Sequence, residues 1–292
     1  MQLQLTRSGL SQLFRTRRGW GLLTAHFSVS FAAIAGCIQL ILAAHPVSYL
    51  QGYSTITGTV AVSAAWAVAR STPRTRVSHD FKHPNFTVTV KVGDIFSEDA
   101  DLVVGFTDTY DTSSDDASII SPRSVQGQLL QKIYGGDSQA LDSALQDSLY
   151  GVSQLSTESR PEKPRGKLVR YPIGTVAVLS KGSTRYYCVA YSKMSNALVA
   201  RSSVDDLWAS LRSAWSVIAV HGHSNSIAMP IVGSELARVD NLGRESLLKM
   251  ILLSFVAKSR EGLISRSLTV VIHPKDADQI DMNEVQAFLR SV

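Results

Sequence analysis

The sequence predicts an α/β protein in which an N-terminal two-helix transmembrane hairpin precedes a three-layer αβα domain with a mixed sheet. Three observations predict this. The stretch from Gly19 to Ala69 contains no Asp, Glu, Lys or Arg. From Asn85 onward, apolar runs of strand length alternate with helix-length amphipathic stretches. Glycine-containing turns follow several of those runs, the arrangement expected where strand ends carry a binding site.

The first apolar segment, about residues 20–44, is rich in Leu, Ile, Ala, Phe and Val and is long enough to cross a hydrocarbon core of about 30 Å. His45 and Pro46 interrupt it, and a second uncharged segment follows over residues 47–69, richer in Ser, Thr and Gly. Arg7, Arg15, Arg17 and Arg18 precede the first segment, while Arg70, Arg74 and Arg76 follow the second. By the positive-inside rule, both termini and the folded domain are expected on the cytoplasmic side of the membrane. Trp20, Tyr49, Tyr53 and Trp66 lie near the segment ends, where amphipathic rings favour the headgroup level. Ile34, Ala35, Gly36 and Cys37 resemble a lipoprotein cleavage box. The apolar run continues past Cys37, however, and a cleaved signal leaves the second segment unexplained.

Ser48, Gln51, Thr55, Thr59 and Ser63 recur at three- and four-residue spacing and so share one helical face. Two explanations stand. Small residues let helices pack closely, against the first span or a neighbouring subunit; alternatively, several copies line a water-filled path with this face.

The same seven arginines exceed the whole net charge of +5, which leaves the remainder slightly acidic. A nucleic-acid binder carries a basic surface on its folded domain, so nucleic acid is excluded as a partner. Two cysteines, Cys37 and Cys188, suggest neither a disulfide framework nor a zinc site. His221 and His223 have no third ligand nearby, and no metal is expected.

Residues 1–18 read as a basic cytosolic N-terminus, 19–70 as the hairpin, 71–84 as a polar linker and 85–292 as the folded domain. Strands are predicted at Phe86–Val92 and Asp101–Gly105, and helices at Arg123–Tyr134 and Ser138–Tyr150. A charged surface loop from Ser153 to Arg165 follows, then strands Thr175–Leu179 and Arg185–Ala190. Ser203 with Asp206 caps a helix ending near Gly222. Strand Ser226–Val232, helix Leu242–Lys258, strand Leu268–His273 and helix Met282–Leu289 complete the order.

Three loops after strands are the candidate site: Gly93, Asp94 and Ile95; Gly105 to Tyr110 with its continuation Ser121 to Gly127; and Pro230 to Arg238. Glycines let backbone N–H groups approach an anion, and helix starts favour phosphate. No Gly-Lys-Ser/Thr phosphate loop, Gly-x-Ser-x-Gly elbow or Gly-x-Gly-x-x-Gly fingerprint occurs.

Together, Val92-Gly93-Asp94-Ile95, Asp101 to Val104, and Met229 to Ser234 resemble a divergent macro domain, the ADP-ribose-binding fold. The hairpin matches the membrane-anchored type found as effector subunits in bacterial Thoeris antiphage defence. The resemblance covers about Asn85 to Val292. It implies that Asp94 accepts a hydrogen bond from the adenine amine. It also implies that the N–H groups of Val232, Gly233, Ser234, Glu235 and Leu236 wrap a diphosphate, with Arg238 available to it. The Asn-rich segment and glycine run of hydrolytic macro domains are replaced by Phe106, Thr107 and Asp108 and, later, Val125, Gln126 and Gly127, so a receptor is expected and not an enzyme. Thr107, Asp108, Arg123, Ser124 and Gln126 would grip the distal ribose, and an amino-acid-like substituent on it would suit Asp108 with Arg123.

The implied function is a sensor-effector. No cofactor is expected beyond the ligand, an ADP-ribose derivative made by a TIR-domain partner; the chain binds it, forms homo-oligomers and disrupts the lipid bilayer. The alternatives are a membrane-tethered ADP-ribosyl hydrolase and a non-catalytic scaffold that binds a protein through residues 153–165.

Overall fold

The computed structural model describes residues 17–44, 52–71, 75–113, 119–233 and 242–292. The chain divides into a helical N-terminal unit and an α/β unit that begins at Arg76.

In the first unit, α1 (Arg17–Ala44) and α2 (Tyr53–Ser71) form a helix pair. Leu23 and Ala67 are buried together, with Phe27 and Val68 packed on them. The buried face of α2 is Thr59, Ser63, Ala67 and Ser71, one residue per turn. The small polar residues Thr59 and Ser63 are thus used for close helix packing. Within α1, Trp20–Ala44 is long enough to cross a membrane, 25 residues with a mean hydropathy of 2.0. The expectation of two such spans is corrected: among the described residues only this helix qualifies. The reason is compositional, since Ser54, Thr55, Thr57, Gly58, Thr59 and Ser63 dilute the apolar content of α2.

The α/β unit is built on an eight-stranded sheet. Its strands are β1 (Arg76–Phe81), β2 (Phe86–Val92), β3 (Asp101–Thr107), β6 (Val176–Lys181), β7 (Thr184–Met194), β8 (Ala200–Arg201), β9 (Ile227–Pro230) and β10 (Ser267–Ile272); β4 (Ser156–Thr157) and β5 (Val169–Arg170) pair separately. The order across the sheet is β1-β2-β10-β9-β3-β7-β6, with β8 added to β7. The five central strands, β2, β10, β9, β3 and β7, run parallel, and β1, β6 and β8 are antiparallel additions.

Helices α3 (Val125–Ile133) and α4 (Ser138–Ser148) cover one face, where Leu102, Val104 and Phe106 of β3 meet Leu129, Leu130, Leu141 and Leu145. Helices α5 (Val204–His221) and α6 (Arg244–Glu261) cover the other. There Trp215 lies edge-on to Phe255 at 5.2 Å, and Phe255 meets Phe86 of β2 at 5.7 Å. The capping box predicted for α5 is present: Ser203 Oγ accepts from the Asp206 N–H at 3.0 Å, and the Asp206 carboxylate accepts from the Ser203 N–H at 3.3 Å. Helix α7 (Met282–Ser291) ends the chain, with Val285 and Leu289 buried.

Two further expectations change. Part of the predicted 71–84 linker is the edge strand β1, which pairs with β2 from Arg76↔Lys91 to Phe81↔Phe86. Only Val77 and Phe81 point fully inward, and the polar residues Ser78, His79 and Asp80 between them hide that alternation in the sequence. The predicted surface loop 153–165 contains β4, and it turns Lys163 fully inward.

Candidate functional site

All five parallel strands end on the same side of the sheet, and their carboxyl ends surround a cavity of 390 Å³. This is where an open α/β sheet is expected to bind ligands, and the volume suits a nucleotide-sized molecule.

The end of β2 supplies Gly93, Asp94 and Ile95. The Gly93 N–H donates to the Ile272 carbonyl at 2.9 Å, tying this turn to the end of β10. Asp94 caps a short 3₁₀ turn, Ile95–Ser97, accepting from the Phe96 N–H at 3.0 Å through Oδ1. Its Oδ2 accepts from Lys132 Nζ at 2.7 Å, and the same ammonium sits 4.8 Å from the centre of the Phe96 ring. Partial burial pushes the Asp94 carboxyl up, but the Lys132 and Phe96 hydrogen bonds and the nearby Lys132 and His273 charges outweigh it and hold it below the usual carboxylate value.

The end of β3 supplies Gly105, Phe106 and Thr107. Pairing with β7 steps from Phe106↔Ala190 to Thr107↔Ser192, so Tyr191 is the extra residue of a bulge and is aimed at the cavity. A Cβ on Gly105 would stand 2.5 Å from the Tyr191 ring, which explains the glycine.

Ile119, Ile120, Ser121, Arg123 and the start of α3 form the next wall. Ser124 caps α3 by accepting from the Gly127 N–H at 3.0 Å, and its own proton goes to the Ser121 carbonyl at 2.7 Å. Gly127 is required because a Cβ there would lie 2.4 Å from the Ser121 carbonyl oxygen. Gln126 donates to the Asp111 carbonyl, fixing this loop from below.

Asp108 was expected beside Arg123 and is not in the cavity lining. It is buried behind it, with Oδ1 accepting from the Met194 N–H at 2.7 Å and Oδ2 from Arg170 at 2.8 Å. Arg170 also binds Glu158 at 2.5 Å, Asn196 at 2.8 Å and the Met194 carbonyl at 2.6 Å. The expected pairing across a ligand is corrected by this network, in which Asp108 anchors the β7–β8 turn.

Of the third loop, Val232 and Gly233 line the cavity, Gly233 with φ +80°. Ser234, Glu235, Leu236 and Arg238 lie outside the described residues. Asp94, Ile95, Phe106, Thr107, Arg123, Ser124 and Gln126 therefore share one cavity with Val232 and Gly233.

Several lining residues escaped the sequence reading. Arg244, the first residue of α6, donates to Asp276 at 3.0 Å and to Gln279 at 2.9 Å; both Arg244 and Asp276 line the cavity, as do His273 and Tyr191. Arg244 was legible as a cation following Gly243 at a helix start, and His273 as the residue ending a strand before Pro274. Leu198, Val199 and Ala200 reach the site only through the β7–β8 turn. Among the described residues, no cluster of His, Cys, Asp and Glu could hold a metal.

No curated protein matches the chain in sequence. Among solved structures, the Oceanobacillus iheyensis macrodomain with ADP superposes with a TM-score of 0.50 at 14% identity, covering 74% of this chain and 99% of that one. A variant of that macrodomain with ADPR gives 0.49 at 16% identity, covering 74% and 100%. The family model of the macro domain of the Thoeris protein ThsA matches residues 88–273. That match takes in every strand end around the cavity, and the chain belongs to the ThsA macro-domain family.

Proposed function

We propose that this chain is a membrane-anchored sensor-effector of bacterial antiphage defence, which binds an ADP-ribose-derived signal made by a TIR-domain partner and then assembles to disrupt the inner membrane. The observation that carries the reading is the single cavity at the strand ends, with the ionised Asp94 on one side and Arg123 on another.

In this reading Asp94 accepts from the adenine amine, and Ile95 packs beside the base. The loop from Val232 through Ser234, Glu235 and Leu236 to Arg238 wraps the diphosphate. Arg123, Thr107, Ser124 and Gln126 meet the distal ribose or an amino-acid substituent on it, with Phe106 behind them. ADP in the Oceanobacillus iheyensis macrodomain supports a ligand of this class. A receptor is favoured over a hydrolase because Asp108, the acid of the second loop, has both oxygens engaged by Met194 and Arg170 and is withdrawn from the cavity.

The membrane anchor in this reading is the apolar stretch Trp20–Ala44 of α1, against which α2 packs. Ligand drives assembly only through its preference for the assembled form, and moving a 1:99 population to 99:1 takes about 5.5 kcal/mol.

The test is calorimetry of the full chain in detergent micelles with ADP-ribose and with amino-acid-substituted ADP-ribose, using Asp94→Ala as control. Binding that the variant loses is expected, with ligand-dependent crosslinking between copies. No heat with either nucleotide would overturn the reading.

A further inference from the structure

We propose that Lys132 is a positioning residue for the base-reading carboxylate, holding Asp94 in the orientation that a ligand requires. The inference rests on the reading in which Asp94 accepts a hydrogen bond from the ligand.

An ionised carboxylate has about four acceptor sites, and Asp94 uses two of them within the protein. Oδ1 takes the Phe96 N–H and Oδ2 takes Lys132 Nζ. With both oxygens tied, the carboxylate plane is fixed, and the remaining capacity is open to a donor in the cavity that Asp94 lines. Lys132 is not itself part of the lining, so it reaches Asp94 without occupying the ligand's space. It is steadied there by the face of Phe96, 4.8 Å away.

The position of Lys132 in the fold gives the contact a second consequence. Lys132 is in the last turn of α3, whose cap Ser124 and first residues Val125 and Gln126 line the cavity beside Arg123. One ion pair therefore ties the helix that starts at one wall of the cavity to the turn that forms another. Both partners are close to half exposed, with side-chain exposures of 42% and 45%. A pair so exposed adds little to folding stability, so its effect belongs in binding and not in the melting temperature.

The experiment measures the affinity of the full chain for ADP-ribose in detergent micelles between about pH 3 and 7, for the unaltered protein, Lys132→Met and Lys132→Arg. Lys132→Met is expected to weaken binding at pH 7 about three- to ten-fold, the effect of freeing one ordered side chain. Its binding is expected to fail at a higher pH than that of the unaltered protein, because Asp94, left with the Phe96 N–H and the charge of His273 on the neighbouring strand end, then protonates more readily. Lys132→Arg is expected to restore both properties, and all three proteins to melt alike. Unchanged affinity and acid limb in Lys132→Met, with the unaltered protein binding normally, would overturn this inference alone. Tighter binding by Lys132→Met would also overturn it, by showing that the lysine competes with the ligand for Asp94. No binding by the unaltered protein would overturn the functional reading and this inference with it.

Discussion

The ammonium of Lys163, wholly excluded from solvent, lies 3.5 Å from the carboxylate of Asp111. The same carboxylate accepts from Thr109 at 2.6 Å and from the Lys167 N–H, and Lys163 donates to the Lys167 carbonyl at 2.5 Å. Burial pushes the Lys163 ammonium below its usual value, while Asp111 opposes that shift. The pair fastens the 153–167 segment beneath the loop that walls the cavity, since the Asp111 carbonyl also accepts from Gln126.

Breaking the pair from one side leaves a buried charge without a counterion. Asp111→Ala is expected to destabilise the protein by about 3–5 kcal/mol. Urea denaturation followed by tryptophan fluorescence measures this. The double variant Asp111→Ala with Lys163→Met should lose less than the sum of the two single changes.

Gly105 and Tyr191 are too close for any side chain at position 105. Gly105→Ala is expected to displace the ring and destabilise the fold by about 1–3 kcal/mol. Adding Tyr191→Ala should recover most of that stability and leave the cavity without one wall. Thermal melts and nucleotide titration of the single and double variants separate the two effects.

Asp108 and Arg170 form a buried pair behind the site. Asp108→Asn keeps the shape and loses the charge, and is expected to cost about 1.5–3 kcal/mol because Arg170 loses one of its two carboxylate partners and keeps Glu158. Ligand affinity of the folded fraction should change less than two-fold. A loss of affinity comparable to that of Asp94→Ala would return Asp108 to the ligand site.

The fold was legible in the sequence where local pattern and tertiary role agree. Val88 and Val90 alternate inward as period two predicts. Ser203, Asp206 and Gly222 carry their own capping chemistry and bound α5 as expected. Glycine-bearing loops that follow strands were visible as such, and they do meet at one cavity. Strand β1 was hidden because the sequence shows only two inward apolar residues among polar ones, and its pairing partner supplies the rest of the signal. The direction of Asp108 was hidden for another reason: its partner Arg170 is 62 positions away. Likewise, nothing near Lys132 in sequence announces Asp94. The second apolar segment misled because it is free of charge over the length of a span, while Ser54, Thr55, Thr57, Thr59 and Ser63 dilute its apolar content.

The hydroxyl of Ser63 is buried between the helices without a hydrogen-bond partner. Removing a buried polar group that makes no bond is expected to be neutral or to stabilise by up to about 1 kcal/mol. Ser63→Ala should therefore leave the helix pair intact, as judged by helicity on heating in detergent, whereas Ser63→Leu should force the helices apart. Loss of the pair in Ser63→Ala would mean that the hydroxyl has a role that packing does not describe.

The acid side of the α5 capping box titrates in a defined direction. Partial burial pushes the Asp206 carboxyl up, but Lys193 and Ser203 outweigh this and hold it below its usual value. Its contribution to stability is thus complete above the unfolded-state value near 3.9 and is lost as pH falls through the lower folded-state value. Asp206→Asn should flatten the stability profile in that window, measured by urea midpoints at successive pH values, and cost about 0.5–2 kcal/mol at pH 7.

Strands β2 and β10 are neighbours in the sheet, yet they come from opposite ends of the domain. During synthesis at about 5–20 residues per second, β2 emerges well before β10, and His273 and Asp276 follow the other described residues of the cavity lining. A half-made chain has neither a floor to the cavity nor the Gly93–Ile272 tie that closes it. The site at the strand ends is therefore completed late, when β10 has paired with β2 and β9.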